Sequence, residues 1–118
     1  MDTERRFTRV GCSYKALVSI DNVLAIEVNI LNISLNGAFL ELKNDFVLQE
    51  GDKWPLTFEL PGSDVNLKFD TEVVHARMNR VGVKFTHVDI DTMIHLRSLL
   101  DARSANPQQI ANELAFLT

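Results

Sequence analysis

From Tyr14 to Phe85 apolar residues recur at every second position for most of the chain, the period of strands with one buried face. Ala16, Val18 and Ile20 mark a first strand over Tyr14–Asp21, which Asp21-Asn22 ends as a turn. Leu24, Ile26, Val28 and Ile30 form the next apolar set. The phase then jumps to Leu31, Ile33 and Leu35, which predicts a bulge near Ile30-Leu31. Asn36-Gly37 reads as a type I′ turn, because both central residues tolerate positive φ. That turn predicts pairing of Leu35 with Ala38, Ile33 with Leu40 and Leu31 with Leu42. Asn32, Ser34, Phe39 and Glu41 then share the opposite face.

Ala38–Leu42 is the third strand, and Asn44–Lys53 is a polar connection turning at Gly51-Asp52. Trp54–Leu60 is the fourth, with Leu56, Phe58 and Leu60 inward and Pro55 marking an edge or a start. After a turn at Pro61–Asp64, Leu67, Phe69, Thr71 and Val73 point inward. A second phase change hands the apolar parity to Val74, Ala76 and Met78, so that His75 and Arg77 project outward. Asn79-Arg80 reads as a turn, and Val81, Val83 and Phe85 close a sixth strand. Six antiparallel strands with two phase breaks predict an all-β closed barrel.

Asp89 is placed to cap a helix whose apolar residues are Ile90, Met93, Ile94, Leu96 and Leu100, packed across a barrel opening. Asn106-Pro107-Gln108-Gln109 starts a second helix, with Ile110, Ala111 and Leu114 on its apolar side. These helices serve the core or self-association. The expected organisation is one domain over 118 residues: an arm at 1–12, mobile without ligand, a barrel at 13–87 and helices at 88–118.

Composition narrows the function. With 46% hydrophobic and 24% charged residues the chain is globular, and a net charge of −4 argues against binding a nucleic-acid polymer. Arg5, Arg6 and Arg9 nevertheless make a local cationic arm. Cys12 alone forms no internal disulfide, no apolar run reaches the length of a membrane span, and a signal-peptide pattern is missing, so the cytoplasm is the expected compartment. His75, His87 and His95 lack metal-ligand spacing, no Gly-rich phosphate loop occurs, and the carboxylates form no acid/base pair. Neither enzyme activity, a metal nor a cofactor is expected.

Arg5-Arg6-Phe7-Thr8-Arg9 resembles the RxxxR motif of the bacterial PilZ-domain family, and Asn32-Ile33-Ser34-Leu35-Asn36-Gly37 resembles its [D/N]xSxxG motif. Val81-Gly82-Val83-Lys84-Phe85 is similar to the family's closing strand. The resemblance implies a six-stranded barrel that binds the second messenger cyclic di-GMP without chemistry and passes the signal to a partner protein. Motility, biofilm and virulence control are the outputs it suggests. The expected contacts are Arg5, Arg6 and Arg9 from the arm and Asn32, Ser34 and Gly37 from the hairpin; separately, strand parity at the second phase break turns His75 away from the core, where its ring is expected to stack on a purine.

The chemistry of those residues agrees. Guanidinium groups fork onto phosphates, stack on purines and bond to guanine O6 and N7. Arg5 and Arg9, four residue steps apart, span up to about 13 Å if extended, enough to wrap a dinucleotide. Asn32 and Ser34 offer an amide and a hydroxyl about 7 Å apart, and Gly37 admits close approach to the backbone. Glu4 stands where the family carries a further Arg associated with a ligand dimer, so one cyclic di-GMP per chain is expected, on a monomer or weak homodimer. Two readings compete: a PilZ-like interaction module that binds no nucleotide, and a small-barrel flavin-binding enzyme, which no residue supports.

Overall fold

The computed structural model describes residues 7–20, 24–43, 47–60, 62–103 and 112. Six strands close into an antiparallel barrel: β1 (Val10–Ser19), β2 (Ala25–Ile33), β3 (Gly37–Leu42), β4 (Lys53–Glu59), β5 (Asn66–Arg77) and β6 (Arg80–Val88). Their order around the wall is β1-β2-β3-β6-β5-β4, and α1 (Ile90–Arg103) follows. Alternation is the cause. Ala16, Val18, Val28, Ile30, Leu40, Leu42, Leu56, Phe58, Leu67, Phe69, Val81 and Val83 all point inward and are buried. β1 starts at Val10, so three residues assigned to the arm belong to the wall.

The β1–β4 seam is thin, with only Leu17↔Thr57 and Val18↔Leu56 in register. A row of rings crosses it inside the barrel: Tyr14, Phe58, Phe69 and Phe85 stack in sequence, with centroids 5.7, 6.1 and 4.2 Å apart. Each such pair adds about 0.5–1.5 kcal/mol beyond area burial, so side chains reinforce what the short ladder leaves weak. Pro55 pairs with Asp70 of β5 and lies outside the two β1 pairs, as an edge position requires.

Both expected phase breaks are present, as register shifts at Ile30/Asn32 and Val73/His75, and β5–β6 shifts once more at Asp70/Thr71. The second break does not bury what alternation suggested. Val74 is 49% exposed and Met78 88% exposed, while Ala76 is half-buried. Arg77 pairs with Arg80, so the turn is Met78-Asn79 rather than Asn79-Arg80, with Met78 at a left-handed φ of 57°.

α1 is capped as expected: Thr92 N–H donates to Asp89 Oδ1 at 2.7 Å, which holds the Asp89 carboxyl below the usual aspartate range. Leu96 and Leu100 join the core, and Lys68 N–H of β5 donates to the buried Thr92 Oγ1 at 3.4 Å. At the far end the Arg103 guanidinium lies 5.3 Å from the Tyr14 ring centroid. Ile90 and Ile94, counted with the apolar face, are exposed instead. Local spacing could not decide this, because the helix meets the barrel along the line of Thr92, Leu96 and Leu100. The expected second helix lies outside the described residues except for Asn112.

Candidate functional site

The hairpin between β2 and β3 differs from its sequence reading by one residue. Ile33 pairs with Ala38, Asn32 with Phe39 and Ile30 with Leu40, so Leu35-Asn36 occupies the tip, and neither Asn36 nor Gly37 has a positive φ. Burial explains the change. Leu35 is driven into the core, and Phe85 N–H of β6 donates to the Asn36 carbonyl at 2.9 Å, so the turn is tucked against the wall. Tertiary burial of one leucine outweighs the positive-φ preference of Asn-Gly.

Ser34 is consequently not on the outer face with Asn32. It is fully buried; its hydroxyl donates to Asn36 Oδ1 at 2.9 Å, lies 3.3 Å from the Gly37 carbonyl, and accepts from Asn36 N–H at 3.3 Å. Gly37 is also buried, and its small size serves strand packing. A Cβ there would sit 2.4 Å from the Val83 carbonyl oxygen of β6. Ser34 and Gly37 thus shape the turn and bring β3 onto β6.

Asn32 is half-exposed, and Arg9 Nη1 donates to its Oδ1 at 2.9 Å. Two features 23 residues apart in the chain meet here. The bond turns the Asn32 side-chain carbonyl toward the arm, and its amide N–H groups remain donors. Phe7 packs against the core and Val10 is buried, so the described end of the arm rests on the barrel. Arg5 and Arg6, like Glu4, lie outside the described residues.

Strand pairing extends this face sideways. Asn32 stands opposite Phe39, Phe39 opposite Gly82, and Gly82 opposite His75, so one row on the outer wall crosses β2, β3, β6 and β5. His75 is exposed and belongs to this row, although two strands separate it from Asn32. On the rows to either side, Arg80 forms an ion pair with Glu41 at 3.5 Å and Lys84 lies 3.8 Å from Glu72. Phe39 lies outside the motifs, and Gly82 falls in the closing-strand segment Val81–Phe85 without being singled out as a contact. Their signal is parity alone, an outward aromatic and an outward glycine in strand interiors.

The chain matches the family model described as PilZ domain over residues 3–102. The chain belongs to the PilZ-domain family. Solved structures agree on the fold at low identity. The PilZ domain with c-di-GMP of YcgR from Escherichia coli superposes with a TM-score of 0.74 at 15% identity, covering 93% of this chain and 98% of that one. The PilZ domain of CeSA from a cellulose-synthesizing bacterium gives 0.63 at 14% identity, covering 80% and 96%. The Bacillus subtilis inhibitor of motility MotI/DgrA gives 0.74 at 15% identity, covering 89% of this chain and 53% of that one.

Other chemistry is sparse on this PilZ domain. Among the described residues no group of three or more His, Cys, Asp or Glu could hold a metal ion, and no helix is long and apolar enough to cross a membrane. The half-buried Cys12 thiol faces the Ile30 carbonyl at 3.5 Å, and burial pushes its pKa up, away from the reactive thiolate.

Proposed function

We propose that this chain is a non-catalytic receptor for cyclic di-GMP. One observation carries the reading: Arg9 of RxxxR and Asn32 of [D/N]xSxxG, far apart in sequence, are joined by a 2.9 Å hydrogen bond on one barrel face. In this reading Arg5, Arg6 and Arg9 grip phosphate oxygens and a guanine edge, and the Asn32 amide donates from the barrel. Ser34 and Gly37 contribute by holding the turn that presents Asn32. The ligand exchanges the Arg9–Asn32 bond for contacts of its own, which re-aims the arm. A ligand shifts the arm only by its differential affinity for the two arrangements, and guanidinium contacts to phosphate made in one of them would supply that difference. The rearranged arm is the surface offered to a downstream protein partner, in the cytoplasm; the relative named as an inhibitor of motility points to motility control as one output.

Calorimetric titration of the unmodified protein with cyclic di-GMP tests the reading. Saturable binding supports it; heats indistinguishable from dilution would leave only a docking module.

A further inference from the structure

Arg77, Met78, Asn79 and Arg80 close the β5–β6 hairpin, and three features there work against the fold. Arg77 and Arg80 are direct pairing partners, so two guanidinium groups stand side by side on one face, an arrangement that destabilises a strand pair. Glu41, the partner of Arg80 on β3, neutralises one of them at 3.5 Å, whereas Arg77 has no ion pair among the described residues. Of the two tip residues only Met78 has a positive φ, 57°, at the position where such turns prefer Gly. Its side chain is 88% exposed, so no burial offsets the strain.

The tip is nevertheless held in place. Leu42 N–H of β3 donates to the Asn79 carbonyl at 2.7 Å, and Asn79 Nδ2 donates to the Leu42 carbonyl at 3.5 Å. A strained non-glycine residue persists only where its surroundings over-determine the backbone, and such places concentrate at functional surfaces. A fixed tip also loses little conformational freedom when a partner covers it. Between the tip and Phe39 lies a recess of about 270 Å³. That volume falls below the roughly 300–1,000 Å³ of pockets that enclose drug-sized ligands, and it suits one side chain of another protein.

We propose that this tip is a docking point for an acidic segment of a partner protein. Met78 enters an apolar pocket of the partner, an aliphatic side chain of the partner fills the recess against Phe39, and a partner carboxylate bridges Arg77 and Arg80. Charge selects the occupant. The chain carries a net charge of −4, yet this corner offers two guanidinium groups against one carboxylate. The recess beside Met78 favours a protein, whose side chains protrude, over a lipid surface, which has nothing to fill it. The bonds that fix the tip come from β3 and β6, so the docking point goes beyond the receptor reading and is built without cyclic di-GMP.

Selection of a phage-displayed library of random peptides on the full chain tests this. Enriched peptides should carry Asp or Glu around a Leu, Ile, Met or Phe. Their affinity should fall about thirtyfold in Met78→Gly, the loss expected for a central interface anchor, and at least about fivefold in Arg77→Gln. Met78→Gly should melt no lower than the unmodified chain, because Gly accepts the positive φ. Enriched peptides without carboxylates, peptides that either variant leaves at full affinity, or a library that yields no binder overturn the docking point. So does a Met78→Gly chain that melts several degrees lower, which would make Met78 a residue of the fold. Binding to phosphatidylglycerol vesicles, or self-association of the chain, that is abolished by Met78→Gly would give the tip to a lipid surface or to a second copy and overturns the proposal as well. The receptor reading stands or falls separately, on the titration with cyclic di-GMP.

Discussion

Arg9 and Ser34 belong to the two motifs and do opposite work. Arg9 is exposed and reaches Asn32 from outside the core, so Arg9→Ala should leave the melting temperature unchanged. A charged hydrogen bond contributes about 1.5–3 kcal/mol, so cyclic di-GMP affinity should fall at least tenfold in calorimetry. Asn32→Ala, which removes the other partner, should weaken binding with equally little effect on stability. Ser34 is fully buried with its hydroxyl satisfied inside the turn. Ser34→Ala strands the Asn36 groups and should cost about 1–3 kcal/mol in urea unfolding, with weaker binding following from the loosened turn. If Ser34→Ala keeps full stability and still loses binding, the hydroxyl meets the ligand directly.

Strand β3 separates fold from site within six residues. Leu40 is buried on its inner side and Phe39 half-exposed on its outer side. Leu40→Ala should therefore lower stability by about 2–5 kcal/mol in denaturant unfolding, without the selective loss of affinity expected for Asn32→Ala. Helix α1 adds a pH dependence. Asp89 has a carboxyl pKa held down by its bonds to Thr92, so its contribution is full above the unfolded value of about 3.9 and is lost as pH falls through the lower folded value. Asp89→Ala should melt earlier than the unmodified protein at neutral pH, and the gap should close below about pH 4. A gap that persists in acid would mean the neutral cap suffices.

For the molecule as a whole the open quantity is stoichiometry. Glu4 precedes RxxxR, and a carboxylate beside phosphates is repulsive and neither stacks nor forks as Arg does. One cyclic di-GMP per chain is the expected calorimetric ratio, and Glu4→Arg should move it toward two. A ratio of two in the unmodified protein would point to Arg6 as the replacement contact. Met78 is the other whole-molecule feature: an 88% exposed side chain at a left-handed φ, at the tip of the β5–β6 hairpin.

By itself the sequence determined the strand count, the closed barrel, both bulges, the Asp89 cap and the two motifs. Each of these is local: period two, a parity break, an oxygen before an apolar run. Only the tertiary structure decided the hairpin register, because the burial of Leu35 and the approach of Val83 to Gly37 involve residues distant in sequence. For the same reason Ser34, read onto the outer face with Asn32, is buried inside the turn instead. Val74, Met78, Ile90 and Ile94 read as core, since alternation reports which residues share a side but not whether anything covers it. The row Asn32–Phe39–Gly82–His75 was invisible beforehand: it runs across strands, where neighbours are set by hydrogen-bonded pairing rather than by position along the chain.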